Sequence, residues 1–340
     1  MQHLRTIISL TLALTTLTCG SEAFACAACD STLSKDWENQ GISSKPGFTA
    51  DLSYSYLNQN QQRYGSAKAS GALINTLNNN TQEIEAFTRT QTITAALNYT
   101  GDVFALSLQV PFVNRTHGTY GQGPAAIGSS YTTSADNSIG DVRIIGRYNG
   151  FSSEKTSGLI AGIKLPTGNT GALFTAGTNA GQNLDAGLQI GTGSTDVIFG
   201  GYTSGTIHEY GWFVQGTVQH AVATDMALGA TTYRPGDAYT VNTGIRYAEF
   251  GAKITPMLQL NIIKRQVDTG TGVPQDMLTG VPGVAISGGT LAYLAPGASI
   301  RLGGGTSVYG FIQLPVYQAV NSLQIVPQYT LTLGVRQSFE

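Results

Sequence analysis

Two cysteines three positions apart are the residues best suited to redox or metal chemistry in this chain. Cys26 and Cys29 stand in "CAACD", and the third cysteine, Cys19, lies in a stretch that we expect to be removed. In an oxidising compartment such a pair forms a local disulfide or stays idle, and it can also be redox-active or bind a metal. Because the sequence has neither a second C-x-x-C for zinc nor a C-x-x-C-H for haem, it predicts no cofactor.

Charged side chains elsewhere recur at alternate positions between apolar ones. In "ADNSIGDVRIIGRY" (135–148), the apolar residues from Val142 to Tyr148 alternate with Asp141, Arg143 and Arg147. "QYTLTLGVRQSFE", which closes the chain, repeats the pattern. A period of two residues indicates β-strands with one apolar face and one polar face.

Catalytic motifs are missing from the sequence. It has no Gly-x-Ser-x-Gly elbow, His-Glu-x-x-His helix, phosphate-binding glycine loop or deaminase signature. His117 and His208 are scattered, and His220, on the presumptive lipid-facing side of a strand, is the one basis for an alternative as an outer-membrane lipase. An isolated histidine is more often an interface residue, so the sequence predicts that the protein is not an enzyme.

Composition excludes one class of partner and one class of membrane protein. Charged residues make up 11% of the chain and 43 of its 340 residues are glycine, whereas soluble chains are about a quarter charged. The net charge of −2, without clusters of Lys and Arg, excludes a nucleic-acid partner. No apolar run reaches the roughly 20 residues of a spanning helix, which excludes a helical membrane protein.

The first 25 residues have the features of a secretory signal peptide. Arg5 gives the N-terminal region a positive charge, and the apolar core runs from Ile7 to Thr18. Ala23-Phe24-Ala25 is an A-x-A cleavage site. We therefore expect residues 1–25 to be removed on export through the inner membrane. The segment 26–46, which carries Cys26 and Cys29, would then lie in the periplasm of a Gram-negative cell.

From Gly47 onward the chain is predicted to form strands. We count twelve candidates, each with alternating apolar and polar residues. They cover 48–57, 86–99, 103–115, 135–148, 158–168, 195–204, 210–221, 239–247, 254–264, 291–302, 307–317 and 329–339.

The connections between these strands alternate between short and long. Connections such as "TGD", "GTIHE" and "GGGT" are short, whereas the intervening ones are mostly long and polar. Only a closed barrel can cross hydrocarbon with strands, because an open edge would leave backbone groups without hydrogen bonds. The sequence therefore predicts an all-β fold over 47–340: a closed antiparallel transmembrane β-barrel of about twelve strands in the outer membrane, with short periplasmic turns and long extracellular loops.

Aromatic residues near the strand ends agree with this barrel. Membrane barrels carry aromatic girdles at both interfaces, and the alternative is that these rings pack a soluble core. The candidates are Tyr99, Tyr148, Tyr210, Trp212, Tyr247, Tyr329 and Phe339. A last strand that ends in an aromatic residue is also what barrel-assembly machinery reads, although here Glu340 follows Phe339.

With the apolar residues outward, polar and charged residues of the strands are expected to face the lumen. The charged candidates are Asp51, Arg89, Asp141, Arg143, Arg147, Lys164, Asp196, Arg246, Arg301 and Arg336, and the neutral ones are Gln109, Gln215, Asn242, Gln259, Asn261 and Gln313. Two interpretations stay open. The charges could set a transverse field that polarises a solute, or they could pair and brace the barrel as a plug, because a twelve-stranded bore is narrow.

An ordered set of segments resembles a known family of outer-membrane barrels, the transporters associated with the MetA pathway of phenol degradation. The segments are "IGDVRIIGRY", "AGIKLPTGN", "GSTDVIFGGY", "YRPGDAYTVNTGIRY", "YLAPGASIRL" and "LPVYQAVNSLQIVPQYTLTLGVRQSF". "CAACDSTLSKDWENQGISSKPGF" also resembles the start of those members that carry closely spaced cysteines. The resemblance implies a porin-like channel for small, aromatic or hydrophobic compounds, and it brings no catalytic residues.

Three functional hypotheses follow from the sequence. The first is a passive channel in the lipid bilayer for small-molecule solutes. The second is a structural barrel that lets a periplasmic redox partner reach the surface, based on Cys26 and Cys29. The third is an outer-membrane enzyme that depends on His220.

Overall fold

The structure is a computed structural model that describes most of the chain from residue 46 onward. The described residues are 46–79, 82–121, 130–151, 155–224, 227–228, 231–247, 253–270, 273 and 286–339. The predicted signal peptide and the segment that carries Cys26 and Cys29 lie outside the described residues. The predicted division of the chain at residues 25 and 46 therefore stays a prediction.

Sixteen strands and two short helices make up the described chain. The first strands are β1 (Gly47–Gly65), β2 (Ala67–Lys68), β3 (Ile84–Thr100), β4 (Phe104–Tyr120), β5 (Tyr131–Ile139), β6 (Val142–Tyr148), β7 (Ser157–Leu165) and β8 (Ala176–Gly177). They are followed by β9 (Ser194–Ile207), β10 (Tyr210–Thr224), β11 (Ala227–Leu228), β12 (Thr231–Thr232), β13 (Ala238–Tyr247), β14 (Ile254–Arg265), β15 (Gly289–Gly303) and β16 (Thr306–Phe339). The helices are α1 (Gly71–Asn79) and a single 3₁₀ turn (Ala186–Leu188). No helix among the described residues is long and apolar enough to cross a membrane.

The strands close into one antiparallel ring. Its order is β1–β3–β4–β6–β7–β9–β10–β13–β14–β15–β16, and β16 pairs again with β1. Because every strand of the ring has a neighbour on both sides, its backbone N–H and C=O groups can form hydrogen bonds between strands. Such groups must be paired in hydrocarbon, which contains no water to bond them. The predicted closed barrel is confirmed.

The strand β16 contributes two arms to this ring. Its first half pairs with β15 and its second half with β1, and the Ser338 N–H of the second arm donates at 3.0 Å to the carbonyl of Gly305, in the turn just before the first arm. Ser322, at the turn, has a φ of 58°. With both arms counted, the described ring has twelve spans, which agrees with the predicted strand number.

One wall strand is interrupted, where the sequence predicted a continuous strand over 135–148. The first part of β4 pairs with β6 and its last part with β5. The break falls at Gly140 and Asp141, and of the segments β5 and β6 only β6 pairs with β7, which pairs with β9 on its other side. Beyond the break, the free edge of β5 pairs with the two-residue strand β8. A two-residue piece of the segment between β7 and β9 therefore extends the wall beside β5.

Loop lengths differ between the two ends of the barrel as predicted. We call the end with the connections β3–β4, β6–β7, β9–β10, β13–β14 and β15–β16 the short-turn end, because its turns have as few as two residues, at 208–209 and 304–305. We call the other the long-loop end. It carries 166–193 between β7 and β9, and α1 between β2 and β3.

The outward face of the ring is an apolar belt. Along the strands, large apolar side chains on the outward face are exposed and alternate with buried inward residues. Leu52 is 50% exposed and Phe199 is 60% exposed. At the short-turn end, Tyr99 contacts Phe48 and Phe104 with ring centroids 5.0 and 5.8 Å apart, and Tyr210 contacts Tyr247 at 5.1 Å. Apolar side chains that face outward and end in an aromatic girdle are the surface of a membrane-spanning barrel.

Inside the barrel, glycines make room for large inward side chains. A Cβ added at Gly334 would lie 2.3 Å from Cζ and 2.4 Å from Oη of Tyr309. The Tyr309 hydroxyl donates to Oδ1 of Asp51 at 2.9 Å, and its ring packs with Met257, Ala295 and Phe311. This cluster fills part of the inner space.

We expect Gly334→Ala to lower the free energy of unfolding by about 1–3 kcal/mol, because the added methyl group displaces the Tyr309 ring. Urea unfolding of the reconstituted protein, followed by Trp212 fluorescence, measures the change. Gly146→Ala is the matched control, because its added Cβ meets only Ala161 O at 3.6 Å. In a double-mutant cycle with Tyr309→Ala, strictly additive losses would contradict the explanation.

Candidate functional site

The lumen holds most of the residues that were expected to line it. Strand alternation places nine of the ten charged candidates on the inward face: Asp51, Asp141, Arg143, Arg147, Lys164, Asp196, Arg246, Arg301 and Arg336. Only some of them come together. Asp51 lies opposite Arg336 on neighbouring strands, and Arg143 lies opposite Lys164. Arg301, at the short-turn end, is exposed.

Arg89 is a correction to the predicted lining. It shares the face of Ile93, Leu97 and Tyr99, which point outward, and it is exposed. Its guanidinium lies 4.7 Å from the centroid of the Phe87 ring on the same face. Arg89 therefore belongs to the outward face of β3 and not to the lining of the lumen.

Three of the predicted residues form a buried charged cluster at the break in the wall. Nζ of Lys164 lies 3.2 Å from Oδ2 of Asp141 and 3.0 Å from Oδ2 of Asp196. The three side chains are 2%, 8% and 3% exposed, in that order. Two carboxylates around one ammonium leave one net negative charge. Such a group is stable in a protein interior only if further hydrogen bonds satisfy it.

Neighbouring side chains supply those hydrogen bonds. Thr192 donates to Oδ2 of Asp141 through its N–H (3.0 Å) and its hydroxyl (2.7 Å), and the Gly168 N–H donates to Oδ1 at 3.0 Å. Ser194 and Gln219 each donate to Asp196 at 2.6 Å. Lys164 also donates to Thr192 and Ser194. Gly168 and Thr192 stand at the two ends of the segment between β7 and β9, so the cluster fastens both ends of that segment to the wall.

We call this segment, residues 166–193, the insert. Its interior is a small core of Ala172, Phe174, Leu184 and Leu188. Gln189, 3% exposed, holds the core together because its side chain bonds the Ala172 N–H (2.8 Å), the Ala172 carbonyl (3.1 Å) and the Leu184 carbonyl (2.6 Å). The insert is therefore a folded unit of its own.

The insert lies against the inner wall near the long-loop end. Arg115, inward on β4, donates through Nη1 to the carbonyls of Leu188 (3.0 Å) and Gln189 (2.8 Å). Ala186 packs with Tyr233 and Val273, which belong to the loops after β12 and β14. The insert thus extends from the wall at β4 and β5 to loops that follow other strands, and it occupies the long-loop end of the lumen.

Most inward side chains of the described residues are close to inaccessible. Ser107, Asn261, Gln313, Phe213 and Met257, from four different strands, are between 0% and 7% exposed. Some inward residues are partly accessible, and the longest run of them lies on the inner wall along β3, β4 and β6. There a run of inward residues toward the short-turn end stays partly accessible: Thr92, Thr94, Ala96, Asn98, Gln109, Pro111, Arg143 and Ile145. This strip, which we call the lumen strip, is a narrow polar path that the insert and Arg115 close at one end.

His220 has partners, contrary to the isolated histidine that the sequence suggested. It faces outward, with Nδ1 at 2.8 Å from Oδ1 of Asp237 and Nε2 at 3.2 Å from Nη2 of Arg234. A guanidinium only donates hydrogen bonds, so Nε2 accepts and Nδ1 carries the hydrogen. In a hydrolase, Nε2 would accept a proton from a nucleophile. Here Nε2 accepts a hydrogen bond from Arg234 instead.

No group of three or more His, Cys, Asp or Glu side chains among the described residues is arranged to hold a metal ion.

Glu83 is an ionisable group that the sequence analysis did not select. It lies beyond the apolar belt, just before β3, and it is 0% exposed. Burial raises the pKa of Glu83 to about 7, and the Thr119 hydroxyl offsets this only in part. Below pH 4.5 the carboxyl is neutral in both the folded and the unfolded chain. Between pH 4.5 and 7 only the unfolded chain ionises, so folding stability falls as pH rises.

Between pH 4.5 and pH 7.5 the unchanged protein should therefore lose about 2–3 kcal/mol of its free energy of unfolding. Glu83→Gln should not show this loss, because glutamine does not ionise. Urea midpoints of both proteins at several pH values in that range measure it, and the gap should widen with pH. A gap that is constant across the range would show that Glu83 does not titrate there.

The sequence analysis missed Arg115, Thr192, Ser194 and Gln219. For Arg115 the signal was present, because the alternation that places Gln109 inward reaches Arg115 six residues later on the same strand. Thr192, Ser194 and Gln219 carried no such signal, because neutral side chains at loop and strand ends are common. Only the geometry shows that they complete a charged cluster.

Comparisons with known proteins agree on the fold. An outer membrane channel from Pseudomonas putida F1 is similar over 87% of this chain and 97% of its own, with 14% identity and a TM-score of 0.57. The similarity is one of fold. The β domain of the Bordetella autotransporter BrkA (11% identity, 87% and 100% covered) and the P. putida toluene transporter TodX (9%, 91% and 94%) both reach a TM-score of 0.45, from which we conclude nothing.

No family model matches the chain. No curated protein matches it either. The resemblance to the phenol-degradation barrels therefore stays a prediction from the sequence.

Proposed function

We propose that the protein is a channel of the outer membrane through which small solutes cross along the lumen strip. The observation that carries the proposal is the combination of a closed ring, an outward apolar belt and one inner wall that stays polar and partly accessible. The lumen strip carries a cation, Arg143, and amide and hydroxyl groups such as those of Gln109 and Thr94. Such a lining favours small polar or amphipathic solutes over ions of like charge.

The proposed orientation has the short-turn end in the periplasm and the long-loop end outside. Barrels of the bacterial outer membrane have short periplasmic turns and longer extracellular loops, which supports this arrangement. The predicted signal peptide, recognition by the barrel-assembly machinery and export through the inner membrane belong to the same proposal. The insert would then close the lumen from the outer side.

The solute class is proposed from two sources. The narrow bore limits the size, and the resemblance to barrels of phenol degradation extends the proposal to aromatic and hydrophobic compounds. Liposomes that contain the protein should swell faster in arabinose than empty liposomes, and phenol should compete with arabinose for entry. Planar bilayers should show small single-channel currents.

This proposal would fail if neither the intact protein nor a form without the insert gave any current or any swelling. Circular dichroism of the same liposomes verifies that the barrel is folded in both cases. Flux of arabinose without any effect of phenol would leave a channel for small solutes and remove the aromatic class.

Two other functions receive less support. A redox assembly would depend on Cys26 and Cys29, which lie outside the described residues, and replacing both by serine should leave solute flux unchanged. An outer-membrane lipase would need a nucleophile at Nε2 of His220, and that atom contacts Arg234. We therefore propose that the protein has no hydrolase activity.

A further inference from the structure

A polar patch interrupts the outward face where the apolar belt ends at the long-loop end. It consists of His220 on β10, Arg234 and Asp237 before β13, Tyr239 on β13 and Lys264 on β14, and we call it the rim patch. Tyr239 and Lys264 are cross-strand partners, and the next outward row toward the short-turn end is apolar, with Val241 and Ile262. The rim patch therefore lies at the hydrocarbon edge.

The rim patch is held in place by its own hydrogen bonds. Arg234 donates from Nη2 to the Ala221 carbonyl at 2.9 Å and to Nε2 of His220 at 3.2 Å. His220 donates from Nδ1 to Asp237 at 2.8 Å. The Ala221 carbonyl and the His220 side chain thus fix the guanidinium on the outer wall, and the carboxylate of the rim patch, Asp237, is itself hydrogen-bonded to His220.

Lys264 adds a second cation without an acidic partner. It is exposed, and no ion pair or hydrogen bond involves its ammonium group among the described residues. Cations at the hydrocarbon edge extend their charged heads to the membrane interface, where an anionic headgroup can pair with them. The arrangement fits a ligand whose negative charge stands directly above acyl chains.

At the long-loop end, acidic groups are mostly buried, whereas basic groups are exposed on the outward face of the wall. Of the acidic groups that the structure describes there, Glu83, Glu85 and Asp268 are 0%, 4% and 2% exposed, whereas the side chain of Asp237, in the rim patch, is 20% exposed and hydrogen-bonded to His220. Arg89, on β3, is exposed on the outward face like Lys264. The outer rim is therefore positive at several points although the chain carries a net charge of −2.

We propose that the rim patch binds a phosphate of a phosphorylated glycolipid of the lipid A type in the outer leaflet. Arg234 and Lys264 would contact the phosphate, while Tyr239 would lie against the sugar and the acyl chains would cover Val241 and Ile262. Arg234 keeps the donors of Nη1 for this contact, because its Nε and Nη2 donate to the Ala221 carbonyl and to His220. The inference rests on the outer-membrane location in the proposed function.

Native mass spectrometry of the detergent-purified protein with diphosphoryl lipid A tests the proposal. We expect Arg234→Gln/Lys264→Gln to bind at least tenfold more weakly than the unchanged protein. Lys264→Gln alone, which removes no hydrogen bond of the fold, should bind about threefold more weakly. Lys155→Gln/Lys253→Gln, at the short-turn end, is the control with the same charge change and should bind normally.

Equal binding by the unchanged protein and the Arg234/Lys264 variant, or equal loss in the control, would overturn the proposal. Binding of inorganic phosphate or phosphatidylethanolamine as tight as that of lipid A would overturn it too. Because the measurement is made in detergent, it does not depend on conduction. A protein that conducts but does not bind lipid A refutes this inference alone, and one that binds but does not conduct refutes only the channel.

Discussion

Lys164→Met is expected to lower the free energy of unfolding by about 3–5 kcal/mol, because it leaves two buried carboxylates without their cation. Asp141 and Asp196 lie 3.2 and 3.0 Å from the lysine nitrogen and have no access to water that could replace it. The variant must protonate a carboxyl or release the end of the insert. Urea unfolding of the reconstituted protein, followed by Trp212 fluorescence, measures the loss.

Two further variants show whether the charges cause this effect. Lys253→Met removes an exposed lysine at the short-turn end and should leave the urea midpoint unchanged. The triple variant Asp141→Asn/Lys164→Met/Asp196→Asn has no buried charge, so it should recover most of the loss. A triple variant as unstable as Lys164→Met would mean that packing, and not charge, is what the lysine supplies.

Removing the insert is expected to raise arabinose flux at least tenfold. The Gly191 N–H donates to the Asn169 carbonyl at 2.8 Å, so the two ends of the insert already meet. Residues 170–190 can therefore be replaced by two glycines, while Gly168, Thr192 and the charged cluster stay in place. The lumen would then lose the folded unit that occupies its long-loop end, and the rate of liposome swelling measures the change.

Arg115→Met is the milder companion of this deletion. It removes the two hydrogen bonds from Nη1 to the carbonyls of Leu188 and Gln189, and the one from Nε to Thr90, but leaves the insert complete, so flux should rise less than in the deletion. Circular dichroism and urea unfolding show whether both variants still fold. If the folded deletion variant transports arabinose no faster than the unchanged protein, the insert does not limit passage.

The ring could be predicted from the sequence because alternation has a strong physical cause. A slip of one residue moves every side chain of a strand to the other face, so a strand in contact with hydrocarbon must keep its register. This is why inward positions such as Arg147 and Lys164 could be assigned from their apolar neighbours. Arg89 was assigned wrongly, because the alternation of its strand places it on the outward face with Ile93 and Leu97.

The insert could not be predicted in this way. Gln189 and Ala172 meet through hydrogen bonds between positions far apart in a segment without periodicity, and Arg115 reaches Leu188 from another strand. The break at Gly140 and Asp141 did leave a signal in the sequence, because the outward positions change from odd ones such as Ile139 to even ones such as Val142. Alternation in the sequence predicts whether a strand face contacts lipid or the lumen. It does not predict the structure of a segment, such as the insert, that lies between two strands.

Closure of the ring by β1 and β16 has a consequence for biogenesis. Phe48 pairs with Phe339, so the seam joins strands from the two ends of the barrel sequence and forms only after all the intervening strands have been made. Contacts between such distant residues are slow to form, because most of the chain must be ordered before they can be made. Until the seam forms, two strand edges stay unpaired, and a cell must shield such a nascent chain from aggregation during its passage to the membrane.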